Sequence, residues 1–275
     1  MTQATLEQPR SRPANRRGHV GLLASREIAL IAAGLVAYRM VRYWVKDQVS
    51  EAFGNAHRVI GWEKALGIFN EVDFQSTILG NHTIILALNR YYFIAHFLGM
   101  ALLLTWLFTR HRHFYGRVRR VLFAVTIGGL AIHVAFPLAP PRWFPEFGFV
   151  DTLQTYGPRV YDSEAVASTA NQIAAMPSLH VAWALIVAWA VIATLHSKWK
   201  WIAVAHPLLM ALTVVVTANH WWLDAAVASL LVVTASQADR PLQKLLAARA
   251  LRREEILVEQ VDRVIEPATD SAVPA

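Results

Sequence analysis

Two histidines and an aspartate stand at the openings of two apolar segments of this chain. His180 follows "ANQIAAMPSL" and opens one segment, whereas His220 and Asp224 open another within "TANHWWLD". Asp224 comes four residues after His220, so a helix would place both side chains on one face. A carboxylate that accepts a hydrogen bond from one imidazole nitrogen leaves the other nitrogen oriented as a nucleophile or base. The second histidine can then move a proton.

The same positions favour an anionic reactant. If both apolar segments are helices, the two histidines lie at amino termini, which expose unpaired N–H groups and the positive end of the helix dipole. Arg142 follows two prolines and is an available cation for phosphoryl oxygens. The pattern therefore predicts phosphate chemistry, with His180, His220 and Asp224 as the catalytic residues.

The composition is typical of a membrane protein. Of 275 residues, 55% are hydrophobic and 16% are charged, whereas soluble domains carry about 25% charged residues. Ten tryptophans agree with this class, because Trp gathers at membrane–water interfaces. The absence of cysteine excludes disulfides, zinc–thiolate sites and a cysteine-nucleophile phosphatase. The net charge of +7 lies in the gaps between apolar segments, so no nucleic acid partner is expected.

Six apolar segments approach the length of about 20 residues that a spanning helix needs. The expected fold is all-α, an integral membrane bundle of six transmembrane helices. The candidate spans are residues 28–45, 92–109, 119–137, 178–196, 201–218 and 222–237. The expected organisation is a cytoplasmic N-terminal tail (1–27), a membrane catalytic domain (28–237) and a cytoplasmic C-terminal tail (238–275).

The placement of lysine and arginine predicts the orientation of the bundle. With both termini inside (N-in/C-in), the cytoplasmic pieces carry 18 of these residues and the external pieces carry six, as the positive-inside rule requires. The fourth and sixth spans then both begin at the outer face, so both histidine motifs face the same side. Residues 46–91 are expected to contain an external surface helix before span two, and residues 138–177 a long external loop.

Two alternatives to this chemistry stay open. His96 and His133 could join His180, His220 and Asp224 in a metal site, which would make the protein a metal-dependent intramembrane hydrolase. His96 and His133 could equally be packing residues of the bundle. The other alternative is a non-enzymatic membrane protein that uses its histidines for binding. The motifs "HExxH", "GxSxG" and "GK" do not occur in the chain.

The two histidine motifs resemble those of a known family. "PSLH" at 177–180, followed by "HWWLD" at 220–224, is similar to the second and third signature motifs of the type 2 phosphatidic acid phosphatase superfamily. The wider pattern adds "FPLAPPRW" and six predicted spans, and resembles the branch containing inositol phosphorylceramide synthases and their bacterial relatives. The resemblance covers roughly residues 30–237, judged by the spans.

This resemblance implies a phosphohistidine mechanism that needs no metal or other cofactor. His220 would attack phosphorus, Asp224 would orient it, and His180 would protonate the leaving group. The phosphate-binding candidates are Arg142, Ser178 and Asn171. The implied partners are a lipid phosphate substrate, the surrounding membrane lipids and a polyol acceptor such as inositol.

The chain departs from the superfamily pattern at two cationic positions. Ala135 stands at the lysine of the first motif, KxxxxxxRP, in which Arg142 would be the arginine, and Trp143 stands at the proline. Val214 occupies the place of an arginine six residues before the histidine of the third motif. These differences favour the synthase-like branch. Further external candidates for neutralising the phosphate are Arg90 and Arg159.

The expected function is that of an inositolphosphotransferase-like membrane enzyme, acting on the extracytoplasmic side of the plasma membrane. The 138–177 loop carries aromatic residues that could exclude water and stack on a bound ring, which favours transfer over hydrolysis. They are Trp143, Phe144, Phe147, Phe149, Tyr156 and Tyr161. The alternative is a lipid phosphate or polyprenyl phosphate phosphatase, for which water is the acceptor.

The charge pattern makes a direct prediction about sidedness. Reporter fusions after residues 115 and 237 should report the cytoplasm, and a fusion within residues 138–177 should report the outside. A cytoplasmic signal from that loop would contradict the site assignment, because both histidine motifs would then face the wrong compartment.

Overall fold

The structure is a computed structural model that describes residues 16–157 and 172–270. Within these ranges the fold is all-helical, and the only β pairing is an isolated bridge between Leu138 and Ala174. The helices are α1 (Arg16–Val45), α2 (Val49–Ala65), α3 (Glu71–Leu79), α4 (His82–Arg110), α5 (Arg112–Ala135), α6 (Thr152–Tyr156), α7 (Leu179–Thr194), α8 (Ala205–Val216) and α9 (Trp222–Asp270). Short 3-10 segments cover Pro141–Trp143, Pro145–Phe147 and Lys198–Val204.

Three helical stretches in the described ranges are long and apolar enough to cross a membrane. They are His82–Arg110, Arg112–Ala135 and Lys198–Val216. The apolar helix α7 is shorter, with 16 residues. Large apolar side chains such as Ile94, Leu102 and Leu208 are exposed on these helices, as expected for surfaces that contact lipid. These features indicate a membrane protein, while the six-span count and the N-in/C-in orientation remain predictions.

Several helices extend beyond the predicted spans, α1, α4, α5 and α9 among them. The second span begins at His82 rather than at residue 92, because the side chain of Asn81 caps α4 by accepting a hydrogen bond from the Ile84 N–H at 3.1 Å. At the other end of the chain, α9 is continuous from Trp222 to Asp270. No helix end marks residue 237, and the three-part division of the chain remains a prediction.

The segment before span two, which the sequence predicts to be external, holds two helices, α2 and α3, rather than one surface helix. α2 packs against the loop that follows α5: the rings of Phe53 and Phe144 have centroids 5.0 Å apart, and the side-chain amide of Asn55 donates to the carbonyl of Pro137 at 2.9 Å. This packing forms one of two buried hydrophobic clusters, with the fully buried Trp221 at its centre. The other cluster joins α4, α5, α7, α8 and α9.

α5 approaches the beginning of α7 closely at Gly129. A Cβ atom at this position would lie 2.8 Å from Cδ2 of Leu179 and 3.5 Å from Cγ of Pro177. One turn later on α5, Nε2 of His133 lies 3.3 Å from the carbonyl oxygen of Pro177. The start of the "PSLH" motif is therefore held against α5 by close packing and by a polar contact.

Because this contact has no room for a side chain, Gly129→Val should destabilise the protein by about 1–3 kcal/mol. The matched control is Gly61→Val on α2, where a Cβ would meet no atom within 4 Å. Thermal unfolding in detergent should give a lower midpoint for the first variant alone. Equal midpoints for the two variants would show that Leu179 moves aside at no cost.

Candidate active site

His220 and Asp224 meet just at the beginning of α9. Nδ1 of His220 lies 3.2 Å from Oδ2 of Asp224 and 2.8 Å from the carbonyl oxygen of Ala175. Two acceptors around one ring nitrogen favour the tautomer in which Nδ1 carries the hydrogen. The lone pair is then on Nε2, which is the nitrogen oriented for attack or for accepting a proton.

A tight turn between α8 and α9 sets the position of His220. The backbone N–H groups of Asn219 and His220 both donate to the carbonyl of Val214, at 2.9 and 3.1 Å. Ala218 has a φ of 54°, in the left-handed region that non-glycine residues seldom adopt. Oδ2 of Asp224 also accepts from the Trp221 N–H at 2.9 Å. The carboxylate that orients His220 therefore also supports the turn that carries it.

His180 lies in the first turn of α7, with its ring centroid 5.9 Å from that of His220. Ser178 caps this helix, because its Oγ accepts from the Val181 N–H at 3.4 Å. The backbone N–H of Ser178 donates to the carbonyl of Asp224 at 3.1 Å. The two motifs are thus joined directly. Ser178 is fully buried, so its evident structural role is helix capping, and phosphate binding by its hydroxyl remains a prediction.

Arg142 is buried beside the turn that carries His220. Its Nη1 donates to Oδ1 of Asn219 at 2.8 Å, and its Nε lies 3.6 Å from the carboxylate of Asp151. Its backbone N–H donates to the carbonyl of Ala218 at 2.9 Å. The structure therefore brings the predicted cation next to the histidine motif, although part of its charge is already balanced by Asp151.

The other predicted phosphate contacts do not gather at this site in the described part of the chain. Arg90 is an exposed residue of α4. Asn171 and Arg159 lie outside the described residues. Val214 is fully buried, so an apolar side chain fills the place of the missing arginine. Arg142 is thus the predicted cation that the described residues place beside His220.

Two residues of α4, Tyr92 and His96, contact the ring of His180. The sequence pattern had not indicated Tyr92. The ring of Tyr92 stacks on His180 with centroids 4.0 Å apart, and the ring of His96 lies 4.3 Å from it. His96 also stacks on Trp183 at 4.1 Å. The available signal was the spacing of Tyr92 and His96, four residues apart and hence on one face of a helix.

The aromatic residues of the 138–177 loop are used differently from what was expected. Phe144 and Phe149 are buried against Trp221, with ring centroids 5.8 and 5.6 Å from it. They stabilise the fold and are not available to stack on a bound ring. Trp143 and Phe147 are half-buried, and Tyr161 lies outside the described residues.

The metal-site alternative has little support from the described side chains. In residues 16–157 and 172–270, no group of three or more histidine, aspartate or glutamate residues is placed to hold a metal ion. His133 contacts Pro177 instead, and His96 packs among aromatic rings. Both residues therefore act in packing at the edge of the site.

Comparison with known proteins agrees with this geometry. A family model described as the PAP2 superfamily, the type 2 phosphatidic acid phosphatases, matches residues 57–238, about two thirds of the chain. The match contains the whole site, from Tyr92 to Asp224. No curated protein and no solved structure matches the chain. With a family model that spans more than half of its length, the chain belongs to the PAP2 superfamily of lipid phosphatases and phosphotransferases.

Proposed function

We propose that this PAP2 superfamily member is a membrane enzyme that transfers or removes the phosphoryl or phospho-head group of a lipid through a phosphohistidine on His220. The observation that carries the proposal is the contact of His220 Nδ1 with Asp224 at 3.2 Å, beside the ring of His180. Superfamily membership supports lipid phosphatase or phosphotransferase chemistry. The roles of the individual residues are part of the proposal.

In the first half-reaction, Nε2 of His220 attacks phosphorus. A P–N bond forms while the P–O bond to the leaving group breaks. The leaving oxygen takes a proton from His180, so this step requires the imidazolium form of His180. The imidazole of His220 gains positive charge as the P–N bond forms, and the buried carboxylate of Asp224 stabilises that charge.

In the second half-reaction, a hydroxyl oxygen of water or of an alcohol attacks the phosphorus of the phosphohistidine. His180, now neutral, removes the proton of this hydroxyl. The new P–O bond forms as the P–N bond breaks, and the electron pair returns to Nε2 of His220. Both histidines are then in their starting states, so one site serves both transfer and hydrolysis.

The charge around the site favours a phosphodiester donor over a phosphomonoester. Of the predicted phosphate cations, Arg142 is the one that the described residues place at the site, and Asp151 balances part of its charge. A diester carries one negative charge, whereas a monoester carries about 1.5 to 2 at pH 7. With few cations, the site accommodates the single charge more easily. This supports head-group transfer, as in the inositolphosphotransferase-like branch.

The aromatic residues of the 138–177 loop support transfer over hydrolysis less than the sequence indicated, because Phe144 and Phe149 are buried in the fold. A phosphatase that uses water therefore remains the second candidate. In both cases we place the site on the extracytoplasmic side of the plasma membrane, because the lysine and arginine pattern predicts that the fourth and sixth spans begin there.

The test uses purified protein in detergent, with phosphate-labelled phosphodiester and phosphomonoester lipids, with and without inositol. Wild type should form an acid-labile phosphoenzyme, and His220→Ala should lose it together with turnover. Asp224→Asn should keep a slow reaction, about 10²- to 10⁴-fold weaker, because the ring loses its orienting charge. Quench-flow experiments measure the amount of labelled phosphoenzyme, and chromatography of the products measures turnover.

Each alternative function or mechanism predicts a different outcome in the same assay. Wild-type turnover by His220→Ala would overturn the covalent mechanism. Loss of wild-type turnover with a chelator would favour the metal-dependent alternative. Free phosphate as the sole labelled product, whatever polyol is present, would identify a phosphatase. Absence of turnover on every lipid phosphate would favour a non-enzymatic membrane protein.

The ring stack on His180 generates a further prediction. His96→Ala removes the ring that contacts His180 and should lower kcat about tenfold, since aromatic pairs contribute roughly 0.5–1.5 kcal/mol. His96→Phe keeps a ring against His180 and Trp183 and should stay close to wild type. Steady-state kinetics of the two variants test this. Equal losses would mean that the ring nitrogens of His96, rather than its stacking, are required.

A further inference from the structure

Two glutamates that the proposed reaction does not use are fully buried at the beginning of α9. Glu63, on the last turn of α2, has Oε1 2.8 Å from the backbone N of Leu223. Glu71, the first residue of α3, has Oε1 3.3 Å from the backbone N of Trp222. The N–H groups of a helix's first turn have no partner within the helix. The glutamates supply those partners to α9.

The two carboxyl groups are close enough for the charge of Glu71 to raise the pKa of Glu63. Two ionised carboxylates cannot hydrogen-bond to each other, because neither has a donor. The second oxygen of each group, Oε2, is buried and has no hydrogen-bond partner within residues 16–157 and 172–270. A proton held by one of the two groups supplies the missing donor.

The electrostatic surroundings favour retention of that proton. Burial raises the pKa of Glu63 to about 9, and the neighbouring Glu71 adds to this effect. Asp224, on α9, raises the pKa of Glu63 further, while the Leu223 N–H opposes the rise. The neighbouring cation on α2, Lys64, lies over the ring of Phe69 at 5.0 Å.

A third contact joins the same two parts of the chain. Nε1 of Trp222 donates to Oδ1 of Asn70 at 2.8 Å. The corner between α2 and α3 therefore holds both the backbone and a side chain of the first turn of α9. His220 precedes this turn and Asp224 lies within it, so a displacement of the turn displaces the candidate catalytic pair.

We propose that Glu63 and Glu71 are a positioning pair that shares one proton, holds the first turn of α9, and thereby aligns His220 and Asp224 for phosphoryl transfer. This inference rests on the proposed function. When the pair loses its proton, two buried negative charges repel each other beside Asp224, and they also oppose the binding of an anionic substrate. Activity then falls because the turn moves, without any change in the reacting groups themselves.

The first test compares Glu63→Gln and Glu63→Ala with wild type and with the control Glu51→Gln, on an exposed position of α2. The glutamine amide can accept from the Leu223 N–H and donate to Glu71, so it imitates the protonated acid. Its kcat at pH 7 should be within about threefold of wild type, whereas alanine should lower kcat about 10- to 100-fold with little change in KM.

The pH profile separates positioning from simple packing. Wild type and Glu51→Gln should lose kcat as the pH rises through about 9, and Glu63→Gln should not, because its amide has no proton to release. Equal kcat values for the glutamine and alanine variants at pH 7 would overturn the proposal. An unchanged alkaline loss in Glu63→Gln would overturn it as well.

A second measurement does not depend on activity, and so distinguishes failure of this inference from failure of the proposed function. The folded-state pKa of Glu63, about 9, lies above its ordinary value of 4.5. The stability that this group contributes is complete below about pH 4.5 and is lost as the pH rises to about 9. The unfolding midpoint of Glu63→Gln should therefore rise relative to wild type between pH 5 and 9. A constant difference would contradict the shared proton even if the enzyme is active.

Discussion

One buried residue, Asp224, connects nearly every part of the site. Its carboxylate contacts Nδ1 of His220 and accepts the Trp221 N–H, while its backbone carbonyl accepts the Ser178 N–H. Buried polar groups are costly unless they are paired, and the cost is greatest for a charge. Asp224 therefore requires these donors to stay in place. The starts of α7 and α9, at which the two histidines lie, cannot separate without leaving the Ser178 N–H and the carbonyl of Asp224 unpaired.

The helices around the contact between α7 and α9 supply the contacts that Asp224 does not make. α4 presents Tyr92 and His96 to the ring of His180, and α5 supports the "PSLH" turn through Gly129 and His133. Outside the apolar bundle, α2 and α3 contribute Glu63 and Glu71 to the first turn of α9. The two candidate catalytic histidines are thus positioned by contacts among six helices, and the glutamates supply partners for N–H groups at the start of α9.

The sequence predicted the local features of this site and the all-helical class. The four-residue spacing predicted that His220 and Asp224 would meet, although His220 lies just before α9 rather than on its helical face. The contacts of Glu63 and Glu71 with α9 were not predictable, because they join positions some 150 residues apart and depend on tertiary packing. Hydropathy placed the start of α4 too late, since its first turns hold polar residues and an asparagine cap. Phe144 and Phe149 were predicted to contact a ligand, because the sequence of a loop does not show which residues its aromatic side chains pack against.

The length of α9 has a mechanical consequence. Near its middle, Asp239 is clamped by Arg120 at 2.7 Å and by Arg117 at 3.5 Å, both on α5. Pro241 follows, and proline has no N–H with which to continue the helical bonding to the preceding turn. Beyond it, through residue 260, the side chains of α9 are exposed, apart from the half-buried Gln243. The ion pairs to α5 tie the first part of α9, which begins two residues after His220, to the bundle. A force applied to the exposed part beyond Pro241 therefore meets these ion pairs before it reaches the candidate site.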